Sequence, residues 1–345
     1  MMDTPAKMED TAAKTDKMEK LEIEDIKPVE KEPVVEKPTI MGCHTWVLKV
    51  VFASICMGVG QFIYATNFSY IGTQGTGFLG SIPLAILVLF KLILAIKNKV
   101  KKGVFIDKEN SNIIDTEGKI KWKNIVPILG NWYANSAQVF LFTYAYKFAK
   151  LAGLNQGIVP ILTLFASFFN SAIFYFVFGE KISLPKALGM VFAISCALLL
   201  MIESTSKKGE TFVDESGVEQ SKEIYAFYCL GLAMLVPVGY SLKHFLVRRF
   251  QKSYNYYYLP IDSSIFENLT LVVFFGIYLQ DNEVSTGDFF LGGLAGSLMV
   301  IGRIFIAVGI AEGVAGPAQA IMSTNGIWMT LLALIFDGQA LSLLQ

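Results

Sequence analysis

Amides and hydroxyls recur at helical spacing inside segments that are otherwise apolar. Gln156, Pro160, Thr163, Ser167 and Asn170 fall at i, i+4, i+7, i+11 and i+14, which places them on one helical face. Asn131, Asn135 and Gln138 form a similar seam upstream, and Gln319, Ser323, Gly326 and Thr330 form another downstream. Gln61 and Tyr64 belong to the first apolar segment. Lipid cannot hydrogen-bond such groups, so these faces point inward. Two chemistries fit. The seams can be hydrogen-bonding glue between packed helices, or they can line a watery cavity that binds a polar solute. Amides on three separate segments tilt the reading toward cavity lining. No nucleophile–base pair or phosphate-cradling loop accompanies them, and no cofactor is expected. His44 and His244 have no Cys or carboxylate at ligand spacing, so no metal is expected either.

The charges inside apolar segments are few. Lys91 lies about 9 Å from the end of its segment at 1.5 Å per residue, close enough for the side chain to snorkel to the interface. Lys49 and Lys243 read as anchors near the interfaces, and His44 and His244 as interfacial. Arg303 is deeper, about 12 Å from the end of its segment. Glu267 and Arg303 lie about 18 Å and 22 Å from the loop joining their two segments, so the sequence predicts a buried ion pair. Such a pair can lock the helices, or Arg303 can exchange Glu267 for an anionic substrate.

The elements that position these residues are membrane helices. The chain is 53% hydrophobic and 17% charged, against roughly 25% charged in a soluble domain. Eighteen of its 58 charged residues crowd into positions 1–44, a Pro-punctuated segment without aromatics that reads as a disordered cytoplasmic tail. Residues 45–345 then read as one membrane domain. With about 20 apolar residues per crossing, nine spans are expected, near 46–68, 78–97, 125–148, 154–178, 184–202, 224–247, 260–279, 287–311 and 314–336. Two polar insertions, 98–124 and 203–223, read as small hairpins. The loops after spans 2, 4 and 6 hold 13 Lys and Arg against five in the opposite set, which puts the amino terminus in the cytoplasm. The sequence does not distinguish an endomembrane from the plasma membrane. The zero net charge and the lack of a basic patch argue against nucleic acid as a partner. The bilayer and a small polar solute are the expected partners, and a homodimer is compatible with the sequence.

Shifting the chain by 159 residues lays "GIVPILTLFASFFNSAIFYFVFGEKISL" over "GPAQAIMSTNGIWMTLLALIFDGQALSL", span 4 over span 9. Five spans separate the copies, so they run in opposite directions. This is the inverted-repeat plan of secondary transporters. The motifs "LAG", "PILTLFAS", "FGEKIS" and "KALGMVFAISCALLLM" resemble the drug/metabolite transporter superfamily, in its EamA-like and nucleotide-sugar-transporter-like members. Gly179 and Glu180 match that family's Gly-Glu break between spans 4 and 5, and Gly189 matches its glycine near the start of span 5. The resemblance implies an all-α polytopic protein of two inverted five-helix repeats, about 46–202 and 224–345, around a central cavity. The second copy stops at "DGQALSLLQ", so the tenth helix is expected to be missing from this chain, as in a truncated product. Gln339 stands where the first copy has Glu180. Locally, Gly179 reads as a helix cap and Glu180 as a headgroup-level charge or a grip on the other repeat. The implied function is transport of a small polar organic solute, a metabolite or a nucleotide-sugar-like compound, by alternating access. The alternative is a scaffold or sensor that keeps the fold without transporting. The residues expected to line the cavity are Gln61, Tyr64, Asn131, Asn135, Gln138, Thr163, Ser167, Asn170, Gln319, Ser323 and Thr330.

Overall fold

Apolar runs of this length have one stable answer in a bilayer, the helix, because it satisfies every backbone group within the segment. The computed structural model describes residues 39–40, 43–108, 111–180, 210–213 and 219–338, with isolated helical positions between 184 and 199. Most of the expected tail and fifth span, and residues 339–345, lie outside the described residues. Span 1 is α1 (Thr45–Asn67). A 3-10 segment (Ser69–Leu79) leads into α2 (Ser81–Lys102), span 2. Span 3 is α3 (Trp122–Leu151). Span 4 is α4 (Ile158–Ile161), a 3-10 turn (Leu162–Leu164) and α5 (Phe165–Phe178). Spans 6, 7 and 8 are α6 (Lys222–Phe250), α7 (Tyr258–Asp281) and α8 (Thr286–Glu312). Span 9 is α9 (Ala315–Met322) and α10 (Asn325–Phe336).

Seven of these stretches are long and apolar enough to cross a membrane. The chain is an all-α, multi-pass membrane protein. The third span differs from the expectation in kind. At 30 residues α3 is the longest helix, yet it falls outside that apolar set. Its buried face carries Asn124, Asn131, Asn135, Gln138 and Thr143, so it suits the bundle interior and not lipid. The reverse holds for α2, which buries only Pro83 and Leu87 and turns Ile86, Leu89, Leu92 and Ile93 outward.

The insertions contain the expected hairpins in reduced form. Residues 98–102 belong to α2, and in the first insertion a single bridge joins Ile114 to Ile120. Just before α1, Thr39–Ile40 (β1) and Cys43–His44 (β2) form a two-residue ladder. In the second insertion, β3 (Thr211–Val213) pairs antiparallel with β4 (Glu219–Ser221).

Inside the bundle α1 packs along α8, and α3 along α6. Small residues permit the first contact. A Cβ on Gly60 would come within 2.8 Å of the Ala295 carbonyl, so only a glycine lets the backbones approach this closely. The halves of span 4 and span 9 also meet directly, with Gly157 against the Thr330 hydroxyl and Gly326 against Ile161.

Candidate functional site

The deepest charges converge on one level of the bundle. Asn131 lies nine residues into α3, Lys243 seven residues before the end of α6, and Arg303 nine before the end of α8. At 1.5 Å per residue these depths are about 10–14 Å, so the helices bring the side chains together although the sequence scatters them. Together with Asn135, Tyr240, His244 and Ser263 they line a cleft with about 30 Å³ of free space, room for about one water. A second, smaller space of about 10 Å³ is lined by Val139, Glu267, Asn268, Met299 and Arg303. Arg303 borders both, so its ion pair forms the partition between them.

That ion pair is the one expected from the sequence. Arg303 Nη1 donates to both carboxylate oxygens of Glu267, and the Glu267 side chain is only 1% exposed. Lys243 and His244 contradict their reading as interfacial residues. Lys243 is 7% exposed and His244 3%. Among the described residues Lys243 has no carboxylate or hydrogen-bond acceptor; its ammonium lies 4.2 Å from the centre of the Tyr240 ring. His244 Nδ1 accepts from Asn170 Nδ2 at 2.7 Å, which leaves the neutral ring's hydrogen on Nε2. Two amide atoms on cavity-lining residues, Asn131 Nδ2 and Asn135 Oδ1, are buried without a protein partner. Buried polar atoms are nearly always hydrogen-bonded, so such orphans mark places for water or a ligand.

The other seam residues are placed differently. Thr163 donates to the Pro160 carbonyl and to Ser323 Oγ, at 2.6 and 3.2 Å, tying span 4 to span 9. Gln319 donates to Ser323 at 3.2 Å, and Asn325 to Gln61 at 2.8 Å. Tyr64 bonds Thr143, and Gln138 donates to the Val236 carbonyl at 3.1 Å. Thr330 abuts Gly157, and Ser167 is buried with its hydroxyl unpartnered. These residues sit in helix–helix contacts and do not line the cleft; for Thr163, Ser323, Gln61 and Tyr64 the glue chemistry describes what the side chains do. Asn131 and Asn135 face the cleft, and Asn170 reaches it through His244.

No family model matches the chain, and no curated protein matches it either. The site therefore has to be understood from its own chemistry.

Between the cleft and the end of the bundle where α6 stops and α7 starts lies a layer of ion pairs. Lys91 pairs with Asp262, which also accepts from the Tyr254 hydroxyl. This corrects the snorkelling expectation, because the carboxylate on α7 holds the lysine within the bundle. Lys49 meets Glu312 at 2.7 Å, and Tyr257 donates to the same carboxylate at 2.7 Å. Burial, the neighbouring Tyr257 hydroxyl and Glu312 push the Tyr256 phenol up to about 12, so it stays a neutral donor to Glu312 at physiological pH. Arg248 reaches Glu180 at 3.4 Å and the Ala311 carbonyl at 3.3 Å. Gly179 ends α5 at φ 66°, a left-handed turn that glycine adopts without strain, and thereby delivers Glu180 to Arg248. Among the described residues nothing lies near the position of a Cβ on Gly189.

Proposed function

We propose that this protein is a secondary transporter that moves a small polar organic solute across a membrane by alternating access, and that it belongs to the drug/metabolite type. The supporting observation is the central cleft, where a lysine lacking an ion-pair partner and orphaned amides are held deep among membrane helices. An apolar bundle with no ligand gains nothing from such groups. The packing supports a two-repeat plan. Exchanging spans five apart maps the α1–α8 contact onto α6–α3, and both contacts run along the helices. Span 4 is interrupted at Leu162–Leu164 and span 9 at Ser323–Thr324, and the 159-residue shift brings the first to within one to two residues of the second. Broken helices near the bilayer centre are a recurrent feature of transporters built this way.

In this reading the amino terminus is cytoplasmic and the ionic layer closes the cleft on that side. Uptake into proteoliposomes from a broad metabolite mixture, read by mass spectrometry, tests the reading. Selective accumulation of one class of solute supports transport. Retention of none, with the protein correctly folded, identifies a scaffold or sensor.

The closed layer makes a separate prediction. Glu312→Gln removes the carboxylate that Lys49, Tyr256 and Tyr257 share. The groups are partly exposed, so stability should fall by less than about 1 kcal/mol. The same energy biases a two-state gate by up to about fivefold. A cysteine at Val247, on the cleft wall, should therefore react faster with a water-soluble thiol reagent added from the amino-terminal side. An unchanged rate would show that the layer does not gate.

A further inference from the structure

The cleft holds a lysine that no carboxylate of the described residues pairs. The groups that face it come from four helices: Asn131 and Asn135 on α3, Tyr240, Lys243 and His244 on α6, Ser263 on α7, and Arg303 on α8. Arg303 is engaged by Glu267 from α7. His244 accepts from Asn170 and is neutral. Arg303 and Glu267 are the charged groups near enough to act on Lys243, Arg303 the more strongly. Lys243 is almost fully buried, with its side-chain nitrogen over the face of Tyr240 and no carboxylate at ion-pair distance among the described residues. A buried charge left alone is costly, and a chain keeps one where a ligand or ion supplies the partner.

We propose that the cleft selects a small organic monocarboxylate, with the carboxylate paired to Lys243 and the orphaned Asn131 Nδ2 as its second donor. This deepens the transporter reading and rests on it. The charge count chooses the class. A carboxylate carries one negative charge and matches one protonated Lys243, whereas a phosphate monoester carries about −1.5 to −2 at neutral pH and would leave the site negative. Asn135 Oδ1, a buried acceptor without a partner, is suited to a hydroxyl or amine elsewhere on the solute. The free space in the cleft is about 30 Å³, far below that of a small-molecule site, so the cleft has to open before a solute of even a few carbons can enter.

The experiment measures thermal stabilisation of the purified full chain by small monocarboxylates from acetate to benzoate, by their carboxamides and by matched phosphate monoesters, together with uptake of the same compounds into proteoliposomes. Stabilisation by a carboxylate and none by its carboxamide is the expected result. Lys243→Met should weaken that carboxylate about tenfold or more, the worth of one charge-assisted hydrogen bond, and should raise the melting temperature of the unliganded protein by removing an isolated charge. Asn131→Leu is a second variant that should weaken binding without altering the charge. Equal response to carboxylate and carboxamide, preference for the phosphate esters, or undiminished binding in Lys243→Met overturns the proposal. Uptake separates the two claims. Transport of neutral solutes alone keeps the transporter and removes the carboxylate, while carboxylate binding without uptake keeps the site and removes the transporter.

Discussion

Arg303→Met should be among the most destabilising single substitutions in this protein, and adding Glu267→Gln to it should restore most of the loss. Glu267 is 1% exposed and both its oxygens are held by one guanidinium. Removing Arg303 leaves that carboxylate without a countercharge in a low-dielectric bundle, at a cost of about 3–5 kcal/mol. Glu267→Gln alone strands the guanidinium, although the Arg303 side chain is 11% exposed against 1% for Glu267, so its loss should be the smaller. The double variant has neither charge and approaches the native stability, because an ion pair replaced by apolar or neutral groups of similar volume is often neutral in energy. Denaturation in detergent for the four members of the cycle measures the coupling. Additive losses would show that the pair carries no mutual energy. Uptake by the stable double variant asks a different question. A folded but inactive double variant means that Arg303 exchanges Glu267 for solute during the cycle; an active one means that the pair only fastens α7 to α8.

The pair is legible in the sequence because both residues sit far inside long apolar runs, where an error of one helical turn still leaves them buried. Lys243 and His244 are not. Counted from the end of the apolar run at Val247, Lys243 lies about 6 Å deep and reads as an anchor. The helix continues through Arg248 and Arg249 to Phe250, and Arg248 is engaged at the end of the bundle, so the true depth is about 10 Å. Lys91 misleads for a related reason. Its partner Asp262 falls at the edge of the apolar window, but α7 begins at Tyr258 and carries the carboxylate inward, where it is 6% exposed. Charged residues at a helix end blunt the hydropathy signal there, and span boundaries set by hydropathy are therefore too short where function places charge. The polar seams show the opposite case. Periodicity correctly assigns Thr163, Ser323 and Gln61 to an inward face, but whether an inward face meets water or another helix depends on which span packs against it. That pairing is a tertiary fact with no local signature.

Gly157→Ala should damage the protein far more than a single added methyl normally does, and Thr330→Gly should rescue it. The Cβ of an alanine at Gly157 would overlap the Thr330 hydroxyl and lie 2.9 Å from its Cβ. Gly157 opens the interrupted span 4 and Thr330 lies in the second half of span 9, so the clash would prise the two broken helices apart at the point where Gly326 also touches Ile161. Overpacking of this kind costs typically about 1–3 kcal/mol, and the Asn155 side chain that bonds the Gly157 amide at 2.8 Å would have to shift with it. Thr330→Gly empties the space opposite and removes a hydroxyl that is buried without a partner, so the double variant should recover stability and, with it, uptake. If the two spans slide past each other during transport, the rescued protein, now smooth at this contact, should turn over at an altered rate while binding its solute as before. Rescue of stability with an unchanged rate would place the moving surface elsewhere. Failure of Thr330→Gly to rescue would mean that the two glycine-faced breaks do not meet, and the direct contact between spans 4 and 9 would fall with it.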